Sequence, residues 1–203
     1  QAVLDHCRRH GIWIIADEVY ERLYYGAEGG NAPSFLDIAS RDEQVIAVNS
    51  FSKAWLMTGW RLGWMVLPAS LMDDLGKLIE YNTSCAPSFV QQAGIVAVNE
   101  GEPFTQDLVQ RLHTSRDHLV TRLAALPGVE AHAPDGAMYV FFRLAGTTDS
   151  LALCKRLVRD ARLGLAPGSA FGDEGEGFVR WCYACDTARL DEGVQRLAGI
   201  LGR

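Results

Sequence analysis

The sequence VIAVNSFSK, at residues 45–53, joins an apolar run of β-forming residues to a polar end that contains a lysine. Residues 12–16 are a second run of this kind, and residues 62–67 are a third. Short, continuous apolar runs are typical of strands that are buried on both faces of a sheet. Because helical segments alternate with these short runs, the pattern predicts an α/β fold with a mostly parallel sheet.

The first two runs each end in a residue that can take part in chemistry. Asp17 comes directly after residues 12–16, and Lys53 belongs to the polar end of residues 45–53. In open parallel sheets, ligands bind outside the carboxyl ends of the strands. We therefore expect Asp17 and Lys53 to lie at the ligand-binding edge of the sheet.

The rest of the chain is predicted to form further helices and a second group of strands. A long helix begins at Pro103, and the composition shifts beyond it, so we expect one domain at residues 1–104 and a smaller α+β domain at residues 105–203. Gln1 is not a start Met and residues 1–10 already have helical periodicity, which predicts the back part of a longer protein. The other predicted elements are helices at 71–81, 89–99, 150–161 and 187–201, and strands at 129–133, 138–144 and 178–183.

Composition and charge exclude several classes of protein. The 203 residues are 48% hydrophobic and 22% charged, which is the balance of an ordinary globular protein. The net charge of −6 has the wrong sign for a nucleic-acid binder, and no window approaches the roughly 20 apolar residues of a membrane span. Five scattered cysteines indicate reduced thiols and a cytoplasmic location. Cys182 and Cys185 have half of a metal-ligand spacing but no second pair nearby, and the histidines have no paired spacing, so no metal is expected.

Lys53 is the first candidate for a chemical role. Small hydroxyl residues flank it, and aromatic and apolar residues follow, which is unusual around a surface lysine. Burial disfavours the charged form of an amine, and a neutral amine is a nucleophile that can form an imine. A solvated lysine whose apolar neighbours belong to the core explains the segment equally well.

Arg61, Ser50 and Ser52 are candidates for holding a phosphate. Arg61 lies between Trp60 and Leu62, where a guanidinium needs an anion to compensate its burial. Each serine hydroxyl can donate one hydrogen bond to the same anion. The alternatives are a salt bridge from Arg61 to a carboxylate of its own domain, and ordinary loop hydroxyls for the two serines.

Asp17 and Tyr20 are candidates for contacting an aromatic cofactor ring. A carboxylate at the end of a buried strand is costly unless it meets a cation, and a protonated pyridine nitrogen is one such cation. Tyr20 lies three residues further on and can offer its phenol to an oxygen on the same ring. The alternatives are a helix N-cap for Asp17 and a core aromatic residue for Tyr20.

Together these segments resemble the class I/II aminotransferases, fold type I pyridoxal phosphate enzymes that are related to aspartate aminotransferase. The resemblance covers the whole chain, and it implies the C-terminal half of that fold. Residues 1–104 would be the remainder of the large cofactor-binding domain, and residues 105–203 the small C-terminal domain. The blocks that carry it are IIADEVY at 14–20, SFSK at 50–53 with TGWRLG at 58–63, PGSAFG at 167–172 and FVRWCYA at 178–184.

The resemblance implies roles for three residues around the cofactor ring. Lys53 would be the Schiff-base lysine that holds pyridoxal 5'-phosphate and moves a proton during catalysis. Asp17 would pair with the protonated ring nitrogen, and Tyr20 would hydrogen-bond the phenolic oxygen of the cofactor.

It also implies two anion sites. Ser50 and Arg61 would bind the cofactor's phosphate, with Ser52 as a further candidate. Arg180 would bind the α-carboxylate of the amino acid, because a planar guanidinium can form two parallel hydrogen bonds to it. An ion pair at the end of a strand is the alternative for Arg180.

The function that the resemblance implies is transfer of an amino group between an L-amino acid and a 2-oxo acid. Two alternatives stay open: a β-eliminating lyase of the same fold, and an aminotransferase-like effector domain of a transcription regulator. The family also implies a homodimer. Nothing near Arg180 in the sequence decides which amino acid is used.

Overall fold

The computed structural model describes residues 1–26 and 30–202 of the chain. The fold divides into two compact units, Gln1–Leu108 and Val109–Arg203. The division falls inside a long helix, a few residues beyond the predicted boundary after residue 104. The assignment of the units to a large cofactor-binding domain and a small C-terminal domain stays a prediction.

Helices and strands alternate in the first unit, and the α/β fold class is confirmed. The first helix ends at Gly11, whose φ of 62° is a left-handed conformation that glycine adopts without strain. The elements of this unit are α1 (Ala2–His10), β1 (Ile14–Asp17), β2 (Val45–Ser50), α2 (Phe51–Ala54), β3 (Gly63–Val66), α3 (Met72–Thr83), α4 (Ser88–Glu100) and the first part of α5 (Glu102–Ala124).

The sheet of the first unit has the order β1-β2-β3, and only one of its two pairings is parallel. Strands β1 and β2 run parallel, whereas β3 runs antiparallel to β2, with Gly63 opposite Ser50. For β3 to run parallel to β2, a crossover connection would have to carry the chain back to the end of the sheet at which β2 begins. Here α2 and one 3₁₀ turn, Thr58–Trp60, reverse the chain at once, and Phe51 N donates to Leu62 O.

The prediction that the first strand is buried on both faces is wrong for β1. Ile14 and Ala16 are buried, and they pack with Leu4 and Cys7 of α1. Ile15 points to the opposite face and is 71% exposed. A continuous apolar run therefore marks a strand, but burial of each face depends on what the rest of the fold lays over it.

The second unit is an antiparallel sheet of order β4-β5-β7-β6 together with helices, in agreement with the predicted α+β pattern. Asp149 and Asp186 cap α6 and α7, because their carboxylates accept backbone N–H bonds from the first helical turn. Its elements are the rest of α5, β4 (Val129–Glu130), β5 (Tyr139–Leu144), α6 (Ser150–Ala161), β6 (Ala166–Pro167), β7 (Phe178–Cys182) and α7 (Thr187–Leu201).

One face of this second sheet is the core of the unit. Val140, Phe142 and Val179 are fully buried, and Trp181 is nearly so. Helix α7 packs against Trp181 through Gly193, where an added Cβ would lie only 2.5 Å from the indole ring. The large indole fits beside α7 because position 193 has no side chain.

The described residues contain neither a candidate membrane span nor a candidate metal-binding group. No helix among them has both the length and the apolar character that crossing a membrane requires. No group of three His, Cys, Asp or Glu side chains among them could hold a metal ion.

Candidate active site

Asp17 and Lys53 lie at the same edge of the first unit's sheet. Asp17 is the last residue of β1 and is paired with Val48 of the parallel neighbour β2. Lys53 lies in α2, the helical turn that begins as soon as β2 ends. The structure thus brings the carboxylate and the amine to the carboxyl ends of two adjacent parallel strands, which is where such sheets bind ligands.

Lys53 is half-buried, and its charged amine lies beside an aromatic ring. Its Nζ lies 5.4 Å from the ring centroid of Tyr20, within the range of a cation–π interaction. In residues 1–26 and 30–202, the Lys53 amine has neither an ion pair nor a hydrogen bond. The amine is therefore not committed to a carboxylate in the fold.

An aromatic cluster anchors the turn that carries Lys53. The Phe51 ring packs against Trp55 at 5.0 Å and against Trp64 at 5.1 Å between ring centroids. Gly94 of α4 faces this cluster, and an added Cβ there would lie 3.4 Å from the Phe51 ring. Apolar residues on either side of Lys53 thus belong to the core, while Lys53 itself stays partly accessible.

Asp17 is exposed, and Tyr20 is half-buried. Asp17 Oδ1 accepts a 3.3 Å hydrogen bond from the backbone N–H of Val19, so the carboxylate caps the turn that follows β1. No Lys or Arg of the described chain forms an ion pair with Asp17. Half-burial distinguishes Tyr20 from the core aromatic residue that was the alternative, and its ring lies beside the Lys53 amine.

The two predicted serines differ in their surroundings. Ser50 Oγ accepts a 3.1 Å hydrogen bond from Ser52 N and donates at 3.4 Å to Leu62 O, so it caps α2. Ser52 is only 9% exposed, and its hydroxyl has no hydrogen-bond partner in the described residues. Ser52 thus keeps a free donor, whereas Ser50 already uses its own within the loop.

Arg61 is exposed, so the prediction that its guanidinium is buried is wrong. Arg61 has a left-handed φ of 54° and follows the Thr58–Trp60 turn, which leaves its side chain in solvent. Its Nη1 donates to Thr58 O at 2.9 Å, and it has no carboxylate partner among the residues described. The salt bridge that was the alternative is therefore not formed. Gly63, next but one, cannot carry a side chain, since a Cβ would lie 2.6 Å from Asn49 O.

Sequence reasoning missed two glutamates near this edge. Glu18 accepts hydrogen bonds from Ser34 Oγ at 2.8 Å and Phe35 N at 3.2 Å, which fixes the following loop. Partial burial, with a contribution from the charge of Glu18, raises the pKa of Glu21 above its ordinary value, although a hydrogen bond from Asn49 opposes the shift. The acidic residues directly after Asp17 in the sequence are the signal that could have found them.

Arg180 lies in β7 of the second unit and is half-buried. Its guanidinium carbon lies 4.4 Å from the ring centroid of Tyr139 and 4.4 Å from that of Phe171. The predicted alternative, an ion pair at the strand end, is absent from the part of the chain that the structure describes. Sequence reasoning identified Arg180 but missed both rings.

The whole chain is similar to known proteins. Residues 1–197 match the family model for aminotransferase class I and II. The chain belongs to this aminotransferase family. It is 36% identical to an aspartate aminotransferase of Pyrococcus horikoshii, over 99% of this chain and 51% of that relative. It is 34% identical to an LL-diaminopimelate aminotransferase of Nitratidesulfovibrio vulgaris, over 98% of this chain and 51% of the relative.

The fold is also that of solved aminotransferases. The structure of an aromatic aminotransferase from Pyrococcus horikoshii matches with a TM-score of 0.91 at 31% identity, over 99% of this chain and 54% of that one. The chain spans about half the length of the curated relatives it matches. These shares do not bear out the expectation that it is the C-terminal half of the family's fold, because they give how much of each relative is matched and not which part.

Pyridoxal 5'-phosphate is the cofactor of this aminotransferase family, and the first unit's residues fit it. The half-buried Lys53 amine has no ion pair that a bond to an aldehyde would have to break. Asp17, at the end of the neighbouring strand, has the type of side chain that pairs with a protonated ring nitrogen. Ser52 and Arg61 keep hydrogen-bond donors that the fold does not use, as a phosphate site requires.

Proposed function

We propose that the full-length protein is a pyridoxal-phosphate-dependent aminotransferase that moves an amino group between an L-amino acid and a 2-oxo acid. The observation that carries this proposal is the environment of Lys53. Its half-buried amine has no ion pair in the described residues, lies beside the Tyr20 ring, and shares a sheet edge with the Asp17 carboxylate. Membership of the family supports the same activity.

Three residues of the first unit would work around the cofactor. When bound, pyridoxal phosphate supplies a conjugated ring that takes up the electron pair released at the substrate Cα. Asp17 would keep a proton on the ring nitrogen, because a nearby negative charge favours the cationic form. Tyr20 would donate its phenolic O–H to the ring oxygen. Lys53 Nζ would hold the cofactor and, once the substrate amine has replaced it, would take a proton from Cα as general base and deliver it as general acid to the C4′ carbon of the cofactor.

The remaining residues would bind anions. Ser52 and Arg61 would donate to the phosphate, together with Ser50 if its hydroxyl turns away from Leu62 O. Arg180 would bind the substrate's α-carboxylate through two parallel hydrogen bonds. Fixing the carboxylate would orient the Cα–H bond for proton transfer, which is catalysis by orientation.

The relatives favour transamination over the two alternatives. The curated relatives described above are named for transfer of an amino group from aspartate and from LL-diaminopimelate, and neither is named as a lyase or a regulator. The products separate the two enzyme classes. An aminotransferase yields a 2-oxo acid and stops after one turnover without an acceptor, whereas a β-eliminating lyase releases ammonia continuously.

The test uses the full-length protein reconstituted with pyridoxal phosphate and exploits the fact that residues 1–203 contain only three lysines. Borohydride reduction followed by peptide mass spectrometry should find the cofactor's mass on Lys53. Lys77 and Lys155, which are exposed on α3 and α6, are matched controls. The Lys77→Ala and Lys155→Ala variants should label normally, and Lys53→Ala should not. Undiminished labelling of Lys53→Ala would overturn the proposal.

We also propose, on the family resemblance, that the full-length enzyme is a homodimer, and, on the scattered cysteines, that it is cytoplasmic. The cysteines of the described chain are free thiols, which is compatible with a reducing compartment. Sedimentation of the full-length holoenzyme tests the dimer. A panel of amino donors and 2-oxo acceptors identifies the substrate.

A further inference from the structure

Aromatic side chains surround Arg180 on one face of the second unit's sheet. Strands β5 and β7 pair in an antiparallel register that places Phe141 opposite Arg180 and Tyr139 opposite Cys182. Because side chains alternate between the two faces of a strand, these four share one face, and the buried Val140 lies on the other. The register of two strands thus places aromatic side chains on the same face as the guanidinium.

Two rings contact the guanidinium directly. Tyr139 comes from β5, and Phe171 comes from the 3₁₀ turn Gly168–Phe171, yet both ring centroids lie 4.4 Å from the guanidinium carbon of Arg180. Both distances are well inside the roughly 6 Å range of cation–π attraction. We call Tyr139 and Phe171 the ring clamp.

Other rings fix the orientation of Phe171. Phe171 is 48% exposed, so burial alone does not hold its ring. The Phe141 ring meets it edge-on, with centroids 5.8 Å apart and an interplanar angle of 87°. Phe141 is in turn stacked on Phe178 at 5.0 Å and 2°. A row of three phenylalanine rings thus ends at the guanidinium.

The backbone that carries Phe171 is held as well. Ser169 N donates to the Oγ of Ser150 at 3.2 Å, and Ser150 is completely buried. At Gly168, an added Cβ would lie 1.9 Å from Gly175 O, so two stretches of backbone touch there without side chains between them. The turn therefore presents Phe171 from a fixed position.

We propose that Tyr139 and Phe171 are positioning residues that orient the Arg180 guanidinium for the carboxylate of the substrate, an inference that rests on the proposed function. The rings attract the positive charge through their π faces and use none of the five N–H donors of the guanidinium. Those donors stay available to an anion, and no carboxylate of the described chain takes them. A guanidinium oriented in advance loses less conformational freedom when the carboxylate binds.

The experiment measures second-order rate constants for the first half-reaction of the full-length holoenzyme. The probes are two matched pairs of amines with and without a carboxylate: L-alanine with ethylamine, and L-phenylalanine with 2-phenylethylamine. The variants Phe171→Leu and Tyr139→Leu remove a ring, whereas Phe171→Tyr and Tyr139→Phe keep it. Phe104→Leu is the control, because it makes the same replacement at an exposed position of α5 that is not part of the row.

Each ring-removing variant should lower the rate with the amino acid on the order of tenfold, the size expected from a partly desolvated cation–π contact, and leave the carboxylate-free amine unchanged. The ring-keeping variants and Phe104→Leu should stay within about threefold of the wild type. Equal losses with both members of a pair, or no loss, would overturn the ring clamp. Arg180→Ala separates the two proposals: if it does not alter the preference for the carboxylate, the role of Arg180 itself is wrong. If it does and the ring variants do not, only the ring clamp is wrong.

Discussion

Lys53 of the first unit and Arg180 of the second, two cationic residues with proposed roles, are held in contrasting ways. Both contact aromatic rings, and neither has a carboxylate partner in the described residues. Lys53 lies on a helical turn after a parallel strand pair, with one ring at 5.4 Å. Arg180 lies within an antiparallel strand, with two rings at 4.4 Å. The amine has a single loose contact, and the guanidinium has two close ones.

The difference matches the work that each group is proposed to do. A lysine that first holds the cofactor and then moves a proton must change position, which a flexible four-carbon stem with one weak contact permits. An arginine that binds a carboxylate contributes most when it does not move, since its planar fork is then already oriented. Aromatic contacts suit both, because they stabilise a cation without adding the negative charge that would compete with an anionic ligand.

The largest expected effect is at Lys53. Lys53→Ala should lower kcat by about 10³-fold or more, because loss of a general acid–base alone accounts for roughly 10² to 10⁴-fold. Single-turnover conversion of an amino acid to its 2-oxo acid by the full-length holoenzyme measures this. Lys77→Ala removes an exposed lysine and should match the wild type. Turnover of Lys53→Ala within tenfold of the wild type would contradict the assignment.

The second largest expected effect is at Arg180, the more tightly held of the two cations. Arg180→Lys keeps the charge but loses the planar fork, so kcat/KM for amino acids should fall on the order of a hundredfold, as expected for losing about 3 kcal/mol of charge-assisted hydrogen bonding. Because Lys53 is unaltered, the reaction with ethylamine should keep its rate. If Arg180→Lys retained full activity, a point charge would suffice and a fixed guanidinium would not matter.

Sequence patterns predicted the positions of the helices more completely than the burial of each sheet face. The helices predicted at 150–161 and 187–201 are confirmed, because periodicity and the capping residues Asp149 and Asp186 are local signals. The exposure of Ile15 was not predictable in this way, since it depends on which layers of the fold cover each face of β1. The direction of β3 depends on how α2 reverses the chain, which the apolar run does not encode.

The candidate site shows the same limit. Lys53 and Asp17 follow short apolar runs, so their shared edge could be predicted from parallel strands. The ring clamp could not, because Tyr139 and Phe171 are brought to Arg180 by strand register and by a turn far away in the sequence. Arg61 was expected to be buried between two apolar residues, but a left-handed backbone turns it into solvent.

A third, smaller effect concerns the packing behind Arg180. Gly193→Ala on α7 should destabilise the full-length protein by about 1–3 kcal/mol, because the new methyl would lie 2.5 Å from the Trp181 indole. Gly199→Ala on the same helix is the matched control; its Cβ meets nothing within 4 Å, and it should be neutral or stabilise by up to about 1 kcal/mol. Urea denaturation measures both. Equal stability of the two variants would show that the indole can move aside.

The smallest expected effects concern two carboxylates, Glu43 of the first unit and Glu176 of the second. The Arg8 guanidinium, with help from Ser40 N–H, lowers the pKa of Glu43 to about 2. The backbone N–H groups of Gly177 and Ser150 lower the pKa of Glu176, which also bonds the Ser150 hydroxyl behind the Phe171 turn. Both carboxylates therefore stabilise the fold above the ordinary pKa of about 4.5 and lose that contribution as the pH falls, for Glu43 through about 2.

Salt should separate the two carboxylates, because their partners differ in charge. The destabilisation caused by Glu43→Gln at neutral pH should be smaller in about 1 M NaCl than at low salt. At that concentration the Debye length is about 3 Å, so an ion pair at the surface is screened. The destabilisation caused by Glu176→Gln should persist, since its partners are neutral N–H and O–H groups. Urea midpoints of the two variants and the wild type, at low and high salt, measure the difference. A matching salt response would mean that Glu176 acts through net charge, and the turn that carries Phe171 would then not depend on its hydrogen bonds to Ser150.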